Sequence, residues 1–515
     1  MATPALDAQR APRNPRPDDQ QRAAGWREWA GLGVLVLAVV LLAVDATVLA
    51  LAVPALTADL GATSTQVLWI GDTYSLALAG LLVTMGNVAD RIGRKRLLLL
   101  GAAAFGGASL LAALATTPEA LIAARLLLGV AGATLMPSTL SLIRSIFGLP
   151  RQRTLAIAIW SAGASGGAAL GPLVGGALLE HFWWGSVFLI NLPVVAVLLV
   201  GGAWLLPESR NPLPGPIDLR SVVLSLVGLV SAVYAVKHLA HVGLDAVTVL
   251  AAVVGAVGLV AFVRRQRRLE HPLIDVELFR RPAFSGAVAV NFASVFPLAG
   301  LLFFFSQYLQ LARGFSPLEA GLRETPLMLA AIAAIAVIGV VLPRLGAGRT
   351  AAVGLAAAAV GLVLLAVAEG ASSYLWLALT LVPIGLGVGL SQTVAVDAVV
   401  SAVPGERAGA ASSISETAYE LATALGIALL GSLLGLVYRG GLELPAGTDP
   451  AVASAAGDSL AGAHAAGAEG AAFEAAQEAF VHAMQVTSLS AAALTAVAAV
   501  LAWRMIPARL SGAGH

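Results

Sequence analysis

The sequence predicts an all-α polytopic membrane protein of fourteen spanning helices, arranged as two six-helix halves with an inserted pair. Three observations carry that expectation. Hydrophobic residues make up 58% of the 515 residues and charged residues only 11%, against roughly 25% charged in soluble chains. Apolar windows of about 20 residues, the length that crosses a bilayer, recur along the chain. The cations also fall almost entirely on one predicted side, as a correct helix count requires.

Residues 1–30 are rich in Pro, Arg and Gln and read as a disordered cytoplasmic tail. The apolar stretch that follows exceeds a signal-peptide core and lacks a small-residue cleavage site, so it reads as a retained helix. Helices are expected near 31–56, 67–89, 97–115, 120–142, 155–179, 186–206, 222–238, 247–263, 287–311, 320–341, 352–367, 374–400, 410–438 and 486–505. With the N-terminus inside, every Lys and Arg falls on inner segments except Arg125, Lys237, Arg313, Arg323 and Arg439. A miscounted helix would scramble that split. Both termini are then cytoplasmic, with a short tail at 506–515.

The long segment 440–478 falls outside. Its Asp449, Asp458, Glu469, Glu474 and Glu478 suggest a solvated hairpin or weak helix, or alternatively an acidic lip at the outer mouth. Trp26, Trp29, Trp183, Trp184 and Trp503 lie near span ends and read as interface anchors.

An internal repeat sets the domain plan. Ala169-Leu170-Gly171-Pro172 ending at Gly176 aligns with Ala424-Leu425-Gly426-Ile427 ending at Gly431, and Arg96…Gly101 with Arg349…Gly354. The halves are 31–206 and 283–505, and 217–268 is the inserted pair. Two halves around a central cavity suggest transport by rocking.

Composition and motifs exclude other classes. A net charge of +1 argues against a nucleic-acid binder, and the absence of Cys removes thiolate chemistry and disulfides. Neither G-x-x-x-x-G-K-[ST] nor H-E-x-x-H occurs, which argues against an ATP-driven pump or a metalloenzyme. No metal and no cofactor is expected.

Three stretches carry a family resemblance. Gly86-Asn87-Val88-Ala89-Asp90-Arg91-Ile92-Gly93-Arg94-Lys95-Arg96 joins the second and third helices, and Arg125…Gly129…Gly132 lies in the fourth. Gly167…Gly171-Pro172…Gly175-Gly176 lies in the fifth. Together with Trp69-Ile70…Asp72…Tyr74, Pro137-Ser138-Thr139, Ser391-Gln392-Thr393 and Ser415-Glu416-Thr417-Ala418-Tyr419-Glu420, they resemble the major facilitator superfamily. Within it, the chain resembles the fourteen-helix drug:proton antiporters of the QacA, SmvA and LfrA type. The resemblance implies a multi-pass protein of the bacterial cytoplasmic membrane, monomeric and driven by the proton gradient alone. Its expected partners are lipophilic, mainly cationic drugs, protons and membrane lipids. It further implies that Asp90 latches onto the start of the thirteenth helix in the outward-facing state, and that the fifth-helix motif tightens against the tenth helix. An exporter for one endogenous metabolite or lipid, and a nutrient facilitator or symporter, are the alternatives.

The residues themselves support these roles. Gly86 and Gly93 permit close approach and a tight turn, and Asp90 has Arg91 and Arg94 beside it. A charge inside a span costs at least roughly 2.5–3.5 kcal/mol, so each needs a reason. Asp45 stands alone near the middle of the first helix, where desolvation favours its neutral form and suits proton carriage. Arg125 is a possible counter-charge. Glu416 and Glu420 are four apart and share a helix face, so one cation or one proton can satisfy the pair. Asp45, Glu420 and Arg125 are therefore expected in proton coupling. Glu416, Asp72, Glu324, Trp69, Tyr74, Trp160 and Tyr419 are expected around the substrate, where rings and carboxylates suit a lipophilic cation. Glu324 has a second reading as partner of Arg323 or Arg313, and Lys237 reads as an interfacial, snorkelling lysine.

Overall fold

The structure, a computed structural model, describes residues 24–210, 218–270, 272–403 and 408–506. The described residues contain fourteen spanning helices. In chain order they are α1 (Trp26–Leu60), α2 (Ser64–Ile92), α3 (Arg94–Ala113), α4 (Pro118–Ile146), α5 (Pro150–His181), α6 (Ser186–Leu205) and α7 (Leu219–His241). There follow α8 (Ala246–Gln266), α9 (Pro282–Ala312), α10 (Pro317–Leu345), α11 (Ala347–Ala368), α12 (Tyr374–Ser401), α13 (Ala408–Gly441) and α14 (Gly470–Met505). The predicted count and order therefore match. Residues 1–23 of the polar tail, Arg407 and the 506–515 tail beyond Ile506 lie outside the described residues.

Helix ends follow from local chemistry. Thr63 and Ser316 begin α2 and α10 with capping boxes, closed by Gln66 and Glu319. Gly93 separates α2 from α3 at φ +112°, a backbone that side chains rarely adopt, and a Cβ there would strike the Glu208 carboxylate. α1 begins at Trp26 and α14 at Gly470, so the polar tail and the outer hairpin are both shorter than the apolar pattern suggested. Periodicity marks where a helix becomes apolar, whereas capping and Ala-rich propensity carry it beyond that point.

The glycines aligned in the repeat make corresponding contacts in the two halves. Gly101 of α3 abuts Thr134 of α4, and Gly354 of α11 abuts Ser391 of α12. Gly171 of α5 rests on Thr47 of α1, and Gly426 of α13 rests on Phe296 and Gly300 of α9. Small residues let backbones touch where lipid supplies no hydrophobic drive between helices. The last glycine of each motif crosses to the other half: Gly176 of α5 meets Pro317 and Leu318 of α10, while Gly431 of α13 meets Leu68 of α2.

These crossings gather at the end that the charge pattern assigns to the outside, and they close it. Phe303 of α9 packs on Gly71 of α2, Gln310 donates to the Leu51 carbonyl at 3.1 Å, and Gly321 of α10 lies against the Pro172 carbonyl of α5. Phe303, Phe304 and Phe305 are all buried here, as core packing requires. Gly321→Leu would force a side chain onto a carbonyl that cannot yield, at about 1–3 kcal/mol. The expected outcome is a shift towards an outer-open form. Because the native chain has no Cys, a single Leu68→Cys at the α2–α13 seam reports it cleanly, labelling about tenfold faster in the Gly321→Leu background. Unchanged labelling would show that this contact does not govern closure.

The 440–478 hairpin is ordered rather than loosely solvated. It holds short helices over Pro450–Asp458 and Leu460–Ala465, the first capped by Asp449. Asp458 accepts hydrogen bonds from the Ser64 amide at 2.7 Å and its hydroxyl at 2.8 Å, which clasps the hairpin to α2 of the other half. Glu474 and Glu478 instead belong to α14, where they line an outer depression with Arg313, Glu369 and His482.

α7 and α8 touch backbone to backbone through Gly228, Gly255 and Gly258. α7 then lies along the α2–α13 seam, where Val233 packs with Leu76, Ala424 and Ala428, and Arg439 donates to the Ala240 carbonyl at 2.9 Å. The inserted pair thus contacts both halves. Trp184 departs from the interface-anchor reading: it is buried and donates to Asp59 at 2.6 Å, while Trp26, Trp183 and Trp503 are exposed.

Candidate functional site

The N-terminal half carries a buried polar centre in an otherwise apolar bundle. Asp45 of α1 is fully buried and accepts from Arg125 Nη1 of α4 at 2.9 Å and from Asn191 Nδ2 of α6 at 2.9 Å. Asn191 also reaches Ser109 of α3 at 3.1 Å. Arg125 donates from Nε to the Ile70 carbonyl at 3.1 Å, and its guanidinium lies 4.6 Å from the Tyr74 ring centroid. Five helices, α1 to α4 and α6, therefore meet around one ion pair. Gly129 and Gly132, one turn and two turns beyond Arg125, sit against Tyr74 and allow α4 to approach α2 closely enough.

Tyr74 links this centre to the other half. It lies within electrostatic reach of Asp45, Arg125, Tyr419 and Glu420. Glu420 of α13 is buried, Ser75 of α2 approaches its carboxylate, and both Arg125 and Glu416 act on it electrostatically. Glu416 is half-buried one turn away, and Tyr419 feels both carboxylates. Asp45, Arg125 and Tyr74 are in contact, and across the seam Glu420 lies within electrostatic reach with Glu416 one turn before it; the five make a polar track between the halves.

Other expected residues fall elsewhere. Asp72 and Trp69 do not face an open cavity: Lys237 of α7 lies 2.7 Å from Asp72 Oδ2 and 3.6 Å from the Trp69 ring centroid. Asp72 is also two turns inside α2, deeper than the predicted span start implied, because the helix begins at Ser64. The snorkelling reading of Lys237 is overturned, since the lysine is 3% exposed. α7 continues to His241, which draws Lys237 a turn into the bundle. Trp160 of α5 donates to Thr139 of α4 at 3.3 Å, inside the N-terminal half.

Glu324 of α10 is buried near the α5 contact, and its Oε1 has no hydrogen-bond partner. Pairing with Arg323 or Arg313 does not occur. Arg323 turns to Glu319 at 3.7 Å and to the Phe315 ring, while Arg313 binds the Ala371 and Ser372 carbonyls.

At the opposite end, Asp90 pairs with Arg94 at 2.9 Å, and Arg94 also donates to Ser209 Oγ at 3.0 Å. Arg91 is exposed, and Gly86 lies near Pro137 of α4. The expected latch partner, the start of α13, borders residues 404–407, which lie outside the described residues. In α5, Gly167, Gly171 and Gly175 pack on α1, whereas Pro172 and Gly176 meet α10. The motif therefore serves two interfaces, one within the half and one between halves.

Asn191, Ser109, Ser75 and Lys237 were missed as site residues. Asn191 had a readable signal, an amide in a span that is otherwise apolar, and buried amides need partners. The Ser positions had none.

Residues 35–427 match the profile of the Major Facilitator Superfamily. The chain is 46% identical over 434 residues to Multidrug efflux pump LfrA of Mycolicibacterium smegmatis, covering 84% of this chain and 86% of that one. It is 37% identical to Methyl viologen resistance protein SmvA of Salmonella typhimurium, covering 84% and 88%. It is 33% identical to the Tetracenomycin C resistance and export protein of Streptomyces glaucescens, covering 79% and 76%. Among solved structures, a bacterial homolog to the human lysosomal transporter Spinster, inward-facing and unoccupied, superimposes with a TM-score of 0.67 at 17% identity. The superposition covers 93% of this chain and 97% of that one.

Proposed function

The chain belongs to the Major Facilitator Superfamily, as a multi-pass secondary transporter of the inner membrane, and we propose that it exports lipophilic, mainly cationic drugs against inward proton flow. Quaternary ammonium compounds, dyes, antiseptics and fluoroquinolones are the expected range. The observation that carries this reading is the polar track from Asp45 and Arg125 through Tyr74 to Glu420 and Glu416. Buried carboxylates shared by two moving halves are what proton–cation exchange needs, because either ion can neutralise them. The names of the relatives, a multidrug efflux pump and a methyl viologen resistance protein, support the same substrate class.

Closure at the outer end corresponds to the inward-facing limb of an alternating-access cycle, with the cytoplasmic side as the loading side. The cofactor requirement is then nil, the proton gradient is the driving force, and the working unit is a monomer in contact with membrane lipid. A second reading is favoured by one observation. Several relatives are named for single natural products, including a probable actinorhodin transporter, so a dedicated metabolite exporter is the alternative. A growth panel across quaternary ammonium compounds, dyes and biguanides separates the two.

Coupling has its own test. In vesicles holding a cationic dye, each pH unit drives about tenfold accumulation per proton exchanged. An uncoupler added at constant ATP should collapse the dye gradient to equality. Dye export that survives the uncoupler but needs ATP would overturn the proton-coupled reading.

A further inference from the structure

The inserted helix α7 supplies a charge to a site that the two halves build between them. Lys237 Nζ lies 2.7 and 2.9 Å from the two Asp72 oxygens and 3.6 Å above the Trp69 ring. Asp72 and Trp69 are three apart on α2, so carboxylate and ring present one face. Carboxylate plus aromatic face is the combination that binds a lipophilic cation. Here the chain's own ammonium occupies it.

The surroundings fix that ammonium without neutralising it elsewhere. Tyr234 of α7 lies between Trp69 and His238, and His238 is spent on Asp245 and Thr248 at the start of α8. Arg125 acts on Asp72 from the N-terminal half. Asp72 is fully buried and Lys237 nearly so. A buried ion pair is no more stable than a well-packed apolar pair, so stability alone does not call for one here. A cavity of about 60 Å³ adjoins Lys237, walled by Leu68, Phe304, Gly431 and Tyr438. Ser432, on the same wall, is buried and its hydroxyl has no hydrogen-bond partner. The cavity lies on the α2–α13 seam, and it offers both room for a displaced ammonium head, a group about the size of a water, and a polar atom to meet it.

We propose that Lys237 is an internal competitor for the transported cation: it holds the Asp72–Trp69 subsite at the outer end of the seam, and a lipophilic monovalent cation takes that subsite only by displacing it. Lys237 thereby sets specificity and hastens release, since the substrate's place on Asp72 is refilled by a tethered ammonium. A tethered competitor lowers apparent affinity by the fraction of time it occupies the site.

This rests on the reading of the chain as a cation exporter, but it is tested by binding rather than transport. Tetraphenylphosphonium affinity is measured on the purified full-length chain in detergent. Lys237→Gln should bind it about tenfold more tightly, corresponding to ninety per cent occupancy by the lysine. Lys237→Arg should stay near wild type, and the gain should vanish in the Lys237→Gln, Asp72→Asn double variant. A neutral lipophilic dye should bind all forms alike. An equal or weaker tetraphenylphosphonium affinity in Lys237→Gln, or a gain that survives Asp72→Asn, would overturn the competitor role. If the bare carboxylate of Lys237→Gln prevents folding, the wild-type chain decides. Saturating tetraphenylphosphonium should raise acetylation of Lys237 by a small reagent several-fold, and no rise overturns the proposal. A chain that binds the cation yet fails to export it uphill would instead overturn the proton-coupled reading, leaving the Lys237 comparison intact.

Discussion

Asp45→Asn is expected to abolish uphill export of every substrate, lowering it by at least about 100-fold while downhill exchange persists. The geometry gives the reason. Asp45 is the sole carboxylate that Arg125 touches among the described residues, and Asn191 fixes its second oxygen. On the proton-coupled reading, a proton arriving on Asp45 would cancel the charge that holds Arg125, freeing the guanidinium, already against the Tyr74 ring, to turn towards Glu420. Proton entry in one half would thereby be felt in the other. An amide keeps the shape of the side chain but has no proton to take up, so the Arg125 contact no longer reports the gradient. Removing one partner of a buried pair also costs about 3–5 kcal/mol, so folding must be checked separately. Asp45→Asn with Arg125→Gln removes both charges. That double variant should regain stability and remain unable to pump. Export is measured in vesicles with an imposed pH gradient, and full uphill export by Asp45→Asn would remove Asp45 from the coupling path.

Much of this centre was legible in the sequence, because charges in apolar spans are few and each demands an explanation. Asp45, Arg125, Glu416 and Glu420 all stood out on that ground. Their connections did not. Asp45 and Arg125 are 80 positions apart, and no periodicity links residues on different helices. Tyr74 was selected as a cavity ring, yet its place between Asp45 and Glu420 depends on how α2 packs against α13. Lys237 shows the opposite failure. Its charge is visible in the sequence, but a helix ending at 238 makes it interfacial, whereas the end at His241 buries it. The glycine repeats were the most faithful signal. A glycine at a helix crossing is required by backbone contact itself, so its position in sequence and its role in packing coincide.

The two glutamates of α13 should separate by substrate charge. Glu420 is buried, approached by Ser75 and within reach of Arg125, so the proposed coupling path includes it. Glu416 is half-buried, a turn nearer the start of α13, and acts electrostatically on Glu420. Glu420→Gln should therefore resemble Asp45→Asn, with uphill export lost for monovalent and divalent dyes alike. Glu416→Gln should spare coupling. A monovalent dye still finds one carboxylate in the seam, and its export should fall less than about fivefold. A divalent dye brings a second charge into a poorly hydrated cavity with no second carboxylate to meet it. Leaving that charge unmatched costs roughly 3 kcal/mol, which is about 150-fold in affinity. The comparison needs one monovalent and one divalent dye, the same vesicles and the same gradient for both variants. Equal loss of both dyes in Glu416→Gln would place Glu416 on the coupling track, and selective loss of the divalent dye in Glu420→Gln would exchange the two roles.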